Sequence, residues 1–366
     1  MRTYTDQLDA LQKSSIRIIC ENQSSTGGYV ASPNFAVYNY SWFRDGAFIA
    51  YAMSLVGEID SAKAFHIWAA ENINKRSTKI SDLISRNRSG EQIDPEDHLH
   101  CRYSIDGLEA DEDWTNFQLD GFGTWLWAAN EFRNNGNILD QSIFSATTTL
   151  IPYLIEFWAT PSFDWWEESF GEQHVSTIGC ISAGLLAIQG WQEISPELRA
   201  SALATALEIK DFVMEFGVVN QHLTKWIGTD ALDGSLAALI APMNWITETE
   251  IARKTLYEIS HQLGDLGTHR HVNDVYFGGG PWPLLSVFLA LGKASMGETD
   301  SVKRTLEWLV QCTNEAFELP EQLPVDLLYP EERDGWIEKW GTPAQPLLWS
   351  HAMFLILKKK VEEINA

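Results

Sequence analysis

Apolar residues recur at i, i+3, i+4 and i+7 along nearly the whole chain, and strand-like alternation is scarce. This periodicity predicts about twelve helices, over residues 3–22, 44–57, 59–75, 118–134, 139–158, 174–193, 196–217, 233–240, 247–262, 281–293, 297–314 and 346–364. Their connections alternate in length. Short ones lie near Gly57-Glu58, Asn135-Gly136, Ile194-Ser195, Ala241 to Ile246 and Lys293 to Gly297; long ones cover 23–43, 76–117, 159–173, 218–232, 263–280 and 315–345. A short connection makes consecutive helices antiparallel. If direction alternates, every long loop emerges at the same rim. Six helix pairs closing in a circle give an (α/α)6 barrel with one decorated end and one plain end. An open helical solenoid is the competing arrangement, but no fixed repeat of about 34 or 40 residues is present. No linker, charge block or low-complexity segment marks a second unit, so residues 1–366 are read as one all-α domain.

Charge narrows the partners. The chain has 26 Lys and Arg against 50 Asp and Glu, a formal net charge of −24. Such a chain repels nucleic acid and anionic membranes, whereas a neutral ligand such as a sugar is compatible with it. The N-terminal residues lack an apolar signal core, and no apolar run reaches the roughly 18–20 residues needed to cross a bilayer. A cytoplasmic protein is expected, with a monomer favoured. Cys20, Cys101, Cys180 and Cys312 have no C-x-x-C spacing and read as free thiols. The nine histidines show no H-x-x-x-H spacing, which disfavours metal catalysis.

Aromatic content is the unusual number, with 16 Trp, 10 Tyr and 17 Phe. Many of these belong to a large core. Several others sit in glycine- and proline-rich segments, where indole faces could stack on sugar rings. Five such segments fall at or in the long loops. They are Tyr40 to Gly46, Asp113 to Gly121, Asp164 to Gly171, His269 to Trp282, and Glu318 to Gln322 followed by Pro346 to His351. Each mixes tryptophan with a carboxylate, and two add arginine. Carboxylates accept from sugar hydroxyls and Arg donates to them. Glycosidic cleavage needs one protonated and one ionised carboxyl. Trp165, Trp166 and Phe170 would desolvate Glu167 and raise its pKa, with Glu168 and Asp164 adding like-charge repulsion. Glu167 is therefore the acid candidate. Glu321, between Pro320 and Gln322, has no adjacent aromatic and suits an ionised base.

Together these segments resemble glycoside hydrolase family 15, the glucoamylase and glucodextranase family. The likeness runs in order along nearly the whole chain, through W-x-R-D, D-x-W-W-E-E, R-x-x-x-D-x-Y-x-G-G-G-P-W, P-E-Q and L-x-W-S-H. The resemblance implies an (α/α)6 barrel that releases terminal glucose with inversion, using Glu167 as acid and Glu321 as base. It implies that Arg44 and Asp45 grip the terminal glucose, with Trp42, Trp114, Trp166, Glu168, Arg270 and Trp349 around the first two subsites. No metal or cofactor is implied. The chain has no room for a starch-binding module, so it looks more like the short isomaltose-type glucohydrolases. His271 and Asn273 depart from the fungal pattern at the second subsite. Maltose and trehalose stay open as substrates.

Plainer readings stand beside these. Arg44-Asp45 could be an ion pair in a first helical turn. Trp165 reads as core packing, and Trp282 as either a wall or a wedge between helices. Gly278 to Gly280 read as a turn. The acidic residues Asp94, Glu96, Asp97, Glu109 and Asp111 to Asp113 read as a solvated loop, with a loose calcium site or a partner contact as the sharper alternative. A phosphorylase or lyase would lack one carboxylate, and an inactive sugar-binding barrel would have lost Glu167 or Glu321; both are present.

Overall fold

A computed structural model describes residues 3–109 and 114–365. Among these residues the α-helices are α1 Tyr4–Glu21, α2 Phe43–Leu55, α3 Ile59–Lys75, α4 Ser77–Arg88, α5 Asp120–Asn134, α6 Gln141–Phe157, α7 Val175–Ala187, α8 Pro196–Phe216, α9 Leu236–Ile240, α10 Thr249–Gln262, α11 Pro283–Ser295, α12 Asp300–Gln311, α13 Arg333–Trp340 and α14 Leu348–Asn365. All twelve predicted helices are present. The two extra ones, α4 and α13, lie inside predicted long loops. Helix α4 buries only Ile80 and Leu83, and α13 buries no residue, so neither carries the apolar stripe that periodicity detects.

The open solenoid is replaced by a closed ring. Helix α14 packs on α2, α2 on α5, α5 on α7, α7 on α9, α9 on α11, and α11 returns to α14. The other barrel helices lie outside, with α3 against α2, α8 against α7 and α12 against α11. Composition follows position. Inner α2 is buried along almost its whole length, while outer α12 buries one stripe through Val302, Thr305, Leu306 and Leu309. Helices α5 and α7 touch backbone to backbone. A Cβ on Gly184 would sit 2.4 Å from the Gly123 carbonyl oxygen, and one on Gly123 would sit 2.3 Å from that of Cys180.

Short connections run from inner to outer helices, and long ones run from outer helices into inner N-termini. One end of the barrel therefore collects the long loops. Two of them are tied by a short antiparallel pair, β1 Ser41–Trp42 with β2 Arg102–Tyr103, in which Trp42 faces Arg102. The four cysteines are free thiols. No helix among the described residues is long and apolar enough to cross a membrane.

The contact between α5 and α7 generates a test. Gly184→Ala drives a methyl into the Gly123 carbonyl and is expected to cost about 1–3 kcal/mol. Thermal unfolding should show a lower Tm; an unchanged Tm would contradict the close approach.

Candidate active site

All ten residues singled out from the sequence line one cavity of about 480 Å³ at the long-loop end. Eight of the sixteen tryptophans line it. Five of the six long loops contribute, and the sixth supplies Lys225, with Asp233 just after it, behind the wall.

The closed end is built on the first turn of α2. Arg44 donates from Nη1 to Gln118 Oε1 at 2.9 Å and to Asp120 Oδ2 at 3.0 Å. Its Nε lies 3.5 Å from Asp45 Oδ2. Arg44 is thus held by α5 rather than merely capping its own helix. Asp45 Oδ2 is buried and makes no hydrogen bond to a described residue. Burial, despite Arg44 beside it, pushes Asp45 up to about 7. A buried acceptor of this kind suits a ligand hydroxyl. Trp165 and Trp349 form the floor, each with its ring centroid 5.5 Å from the Arg44 guanidinium. Trp165 is therefore both core, packed on Phe48 and Phe288, and cavity lining.

Glu167 sits on a tight turn. Asp164 Oδ1 accepts from the backbone N–H groups of Trp166 and Glu168, both at 2.9 Å. Glu167 and Ser169 adopt left-handed φ values of 65° and 52°, strained for residues with a Cβ. The turn is anchored from below by Lys225, 3.2 Å from both Asp164 Oδ2 and Asp233 Oδ2. Asp233 in turn accepts from the Trp166 indole at 2.9 Å. Lys225 and Asp233 escaped sequence reasoning, because only the fold brings them under the turn.

The Trp42 indole donates to Glu167 Oε1 at 2.7 Å. Burial pushes the Glu167 carboxyl up, against the pull of Arg44 and the Trp42 and Trp114 indoles. The expected direction and its first cause, desolvation, hold, but Phe170 and like-charge repulsion do not contribute as expected. Phe170 is 49% exposed and packs on Phe163 instead. The neighbouring carboxylates are neutralised elsewhere, Asp164 by Lys225 and Glu168 by Arg270. Arg270 Nη2 meets Glu168 Oε1 at 3.0 Å, and His271 Nε2 meets Oε2 at 3.3 Å. Burial pushes Glu168 up, but these two partners outweigh it and hold it down at about 2. Arg270 is itself clamped by Asp274.

Glu321 differs more sharply from the sequence expectation of an unshielded carboxylate. It is 1% exposed. Burial pushes it up to about 7, against hydrogen bonding from Tyr38 and the charge of Arg270. Its neighbours come from distant loops. Tyr38 donates to Oε1 at 2.6 Å, and the Tyr276 hydroxyl lies 3.4 Å from Oε2. The missed signal for Tyr276 was available, because it ends the R-x-x-x-D-x-Y motif; Tyr38 had none. The Glu321 loop is pinned to the start of α14. Leu319 N–H donates to His351 Nε2 at 3.0 Å, Ser350 donates to the Pro320 carbonyl at 2.8 Å, and Glu321 N–H donates to the Ala344 carbonyl at 2.8 Å. Burial drives His351 down to about 3, so it is neutral, with its proton on Nδ1 facing Ser15.

Trp282 precedes α11 and is both wall and wedge, 5.3 Å from the Trp166 ring and 6.2 Å from Tyr276. Gly278 and Gly279 form the expected turn, with φ of 85° and 70°. In the acidic stretch, Glu109 pairs with Arg76 at 2.8 Å and Asp97 with Arg86 at 2.7 Å. Asp111, Glu112 and Asp113 lie outside the described residues. Among the described residues no group of His, Cys, Asp and Glu could hold a metal ion.

The family described as Glycosyl hydrolases family 15 matches residues 5–291. The chain belongs to glycosyl hydrolase family 15. Among its relatives, an isomaltose glucohydrolase of Kribbella flavida is 37% identical over 96% of this chain and 92% of its own. An uncharacterized glycosyl hydrolase of Methanocaldococcus jannaschii is 26% identical over 93% of this chain and 54% of its own. A solved wild-type glycosidase superposes with a TM-score of 0.95 at 36% identity, covering 99% of both chains. A glycosidase variant in complex with glucose superposes equally well at 35% identity. The glucoamylase of Saccharomycopsis fibuligera shares the fold, with a TM-score of 0.73 at 15% identity over 98% of this chain and 95% of its own. The family 15 chain is a glycoside hydrolase built on an (α/α)6 barrel.

A buried, raised carboxyl has a consequence for stability. In the folded chain Glu321 keeps its proton up to about pH 7, against an ordinary value of 4.5. Between those values the folded state binds more protons than the unfolded one, so stability falls as pH rises through that window. Gln has no proton to lose. Glu321→Gln should therefore raise Tm over the wild type at pH 8 and leave it nearly unchanged at pH 4. Thermal unfolding across that range checks this; an equal shift at both ends would contradict it.

Proposed function

We propose that this family 15 hydrolase releases β-glucose, with inversion, from the non-reducing end of isomaltose and short α-1,6-linked glucosides. The observation that carries the reading is that Glu167 and Glu321 face one cavity with different donors. Glu167 takes an indole N–H from Trp42, which cannot supply or remove a proton. Glu321 takes tyrosine hydroxyls on both oxygens. The cavity ends blindly at Arg44 and Asp45, which suits gripping one terminal sugar and hence exo action. The isomaltose preference is supported by the Kribbella flavida relative, and a glucose-binding site by the similar glycosidase that carries glucose.

In this reading Asp45 accepts and Arg44 donates at the hydroxyls of the terminal glucose, and the Trp165 and Trp349 floor covers its apolar face. Glu167 gives its proton to the glycosidic oxygen as the bond from that oxygen to C1 breaks. Glu321 takes a proton from water as the water oxygen bonds to C1 from the opposite face. The products are β-glucose and the sugar whose hydroxyl Glu167 has protonated. Glu167 then regains a proton from solvent, and Glu321 loses one. Burial raises the Glu167 pKa, which favours the protonated form that a general acid needs. Glu321 is ionised only as pH approaches its own raised value, so the acidic limb of kcat/KM should lie above the ordinary Glu range. Ionised Glu168, Arg270 and Trp166 face the leaving sugar.

Two measurements test this. Across isomaltose, maltose, trehalose and isomaltotriose, kcat/KM should be highest for an α-1,6-linked substrate; a clear maximum on maltose or trehalose would overturn the linkage. Glu321→Gln should lower kcat by about 10²–10⁴-fold with the fold retained; turnover near the wild-type rate would refute its role as base.

A further inference from the structure

The cavity changes character from floor to mouth. At its closed end Arg44, Asp45, Glu321 and Trp349 are each no more than 8% exposed. At its mouth stand Trp336, Lys339 and Trp340, all from α13. This helix buries none of its residues, and it packs on the short turns Tyr276–Gly278 and Pro330–Glu332 rather than on the barrel ring. Trp336 and Trp340 are one helical turn apart and share a face. Trp336 has a structural task, since its ring meets Tyr276 edge-on at 5.0 Å and Phe277 at 6.0 Å. It thereby braces the tyrosine beside Glu321.

Trp340 has no comparable task. It is 37% exposed, and no aromatic ring packs on it among the described residues. Its neighbour is the Lys339 ammonium, 4.8 Å from its ring centroid. An indole left at the open mouth of a tryptophan-walled cavity, with a cationic donor beside it, suits one class of ligand. A sugar ring offers an apolar C–H face to the indole and hydroxyls to the ammonium. The terminal glucose occupies the blind end, so whatever reaches the mouth lies on the leaving-group side of the scissile bond.

We propose that Trp340, with Lys339, forms an aglycone subsite in which the indole stacks on a sugar ring beyond the cleaved glucose. This rests on the reading of the cavity as an α-glucoside site, but not on the linkage. The subsite adds binding that a one-sugar substrate cannot use. It therefore separates substrates by the leaving group attached to the terminal glucose rather than by the glucose itself.

The test compares Trp340→Ala, Trp340→Phe and the wild type on α-glucosyl fluoride, which has no second ring, and on isomaltose, maltose and their trisaccharides. Trp340→Ala should lower kcat/KM about tenfold, through KM, on at least one of the glycosides that the wild type cleaves. It should leave α-glucosyl fluoride hydrolysis unchanged, and Trp340→Phe should recover most of the loss. No change on any glycoside, a gain on the longer ones, or an equal loss on the fluoride would each overturn the subsite. A linkage error would appear separately, in the wild-type rates alone. Cleavage of the fluoride but of no glycoside by the wild type would overturn both readings.

Discussion

Everything in this molecule depends on the closure of six inner helices with a common direction. Because short links lead outward and long loops lead inward, every inner N-terminus opens at the same end. The first turns of α2 and α5 bring Arg44, Asp45 and Asp120 to the floor, and the start of α14 brings Trp349. Asp45 lies at the positive end of the α2 helix dipole, which partly offsets its burial. Rigid helices supply the floor, and loops supply the walls. This division separates what must be fixed, the grip on one sugar, from what can vary between relatives.

Below the walls, charge is handled by pairing. The chain is strongly acidic overall, yet three of the buried cations at the site are each paired with carboxylates. Arg44 goes to Asp120 and Asp45, Arg270 to Asp274 and Glu168, and Lys225 to Asp164 and Asp233. An unpaired charge in such places would be strongly destabilising. Environment sorts the carboxyls of the site into two groups. Glu168, answered by Arg270 and His271, is held ionised. Asp45, Glu167 and Glu321 are pushed by burial toward the protonated form, Asp45 despite Arg44 beside it. The proposed chemistry uses the second group, and the positions that hold substrate steady draw on both.

Much of this was legible in the sequence, for identifiable reasons. Barrel helices carry apolar stripes, so periodicity found all twelve. Helices α4 and α13 carry almost none and were invisible as helices, although Trp336 and Trp340 make α13 part of the cavity rim. The motifs holding Glu167, Glu321, Arg44 and Arg270 were legible because chemistry clusters residue types locally. What sequence proximity misjudged was environment. Phe170 is only three positions from Glu167 in the chain but stands half-exposed against Phe163, whereas Trp42 is 125 positions away and donates to it. Glu321 looked unshielded because the residues that enclose it, Tyr38 and Tyr276, lie on other loops. Lys225 sits in no motif, and its role exists only once the turn around Glu167 rests on it.

The central claim is that two carboxyls from remote loops work on opposite faces of one sugar with a water between them. Proton NMR of the first sugar released from an α-linked disaccharide tests it directly, before mutarotation scrambles the anomers. β-Glucose should appear first and the α-anomer only later. If α-glucose appears first, Glu167 and Glu321 do not act as acid and base across an inverting centre.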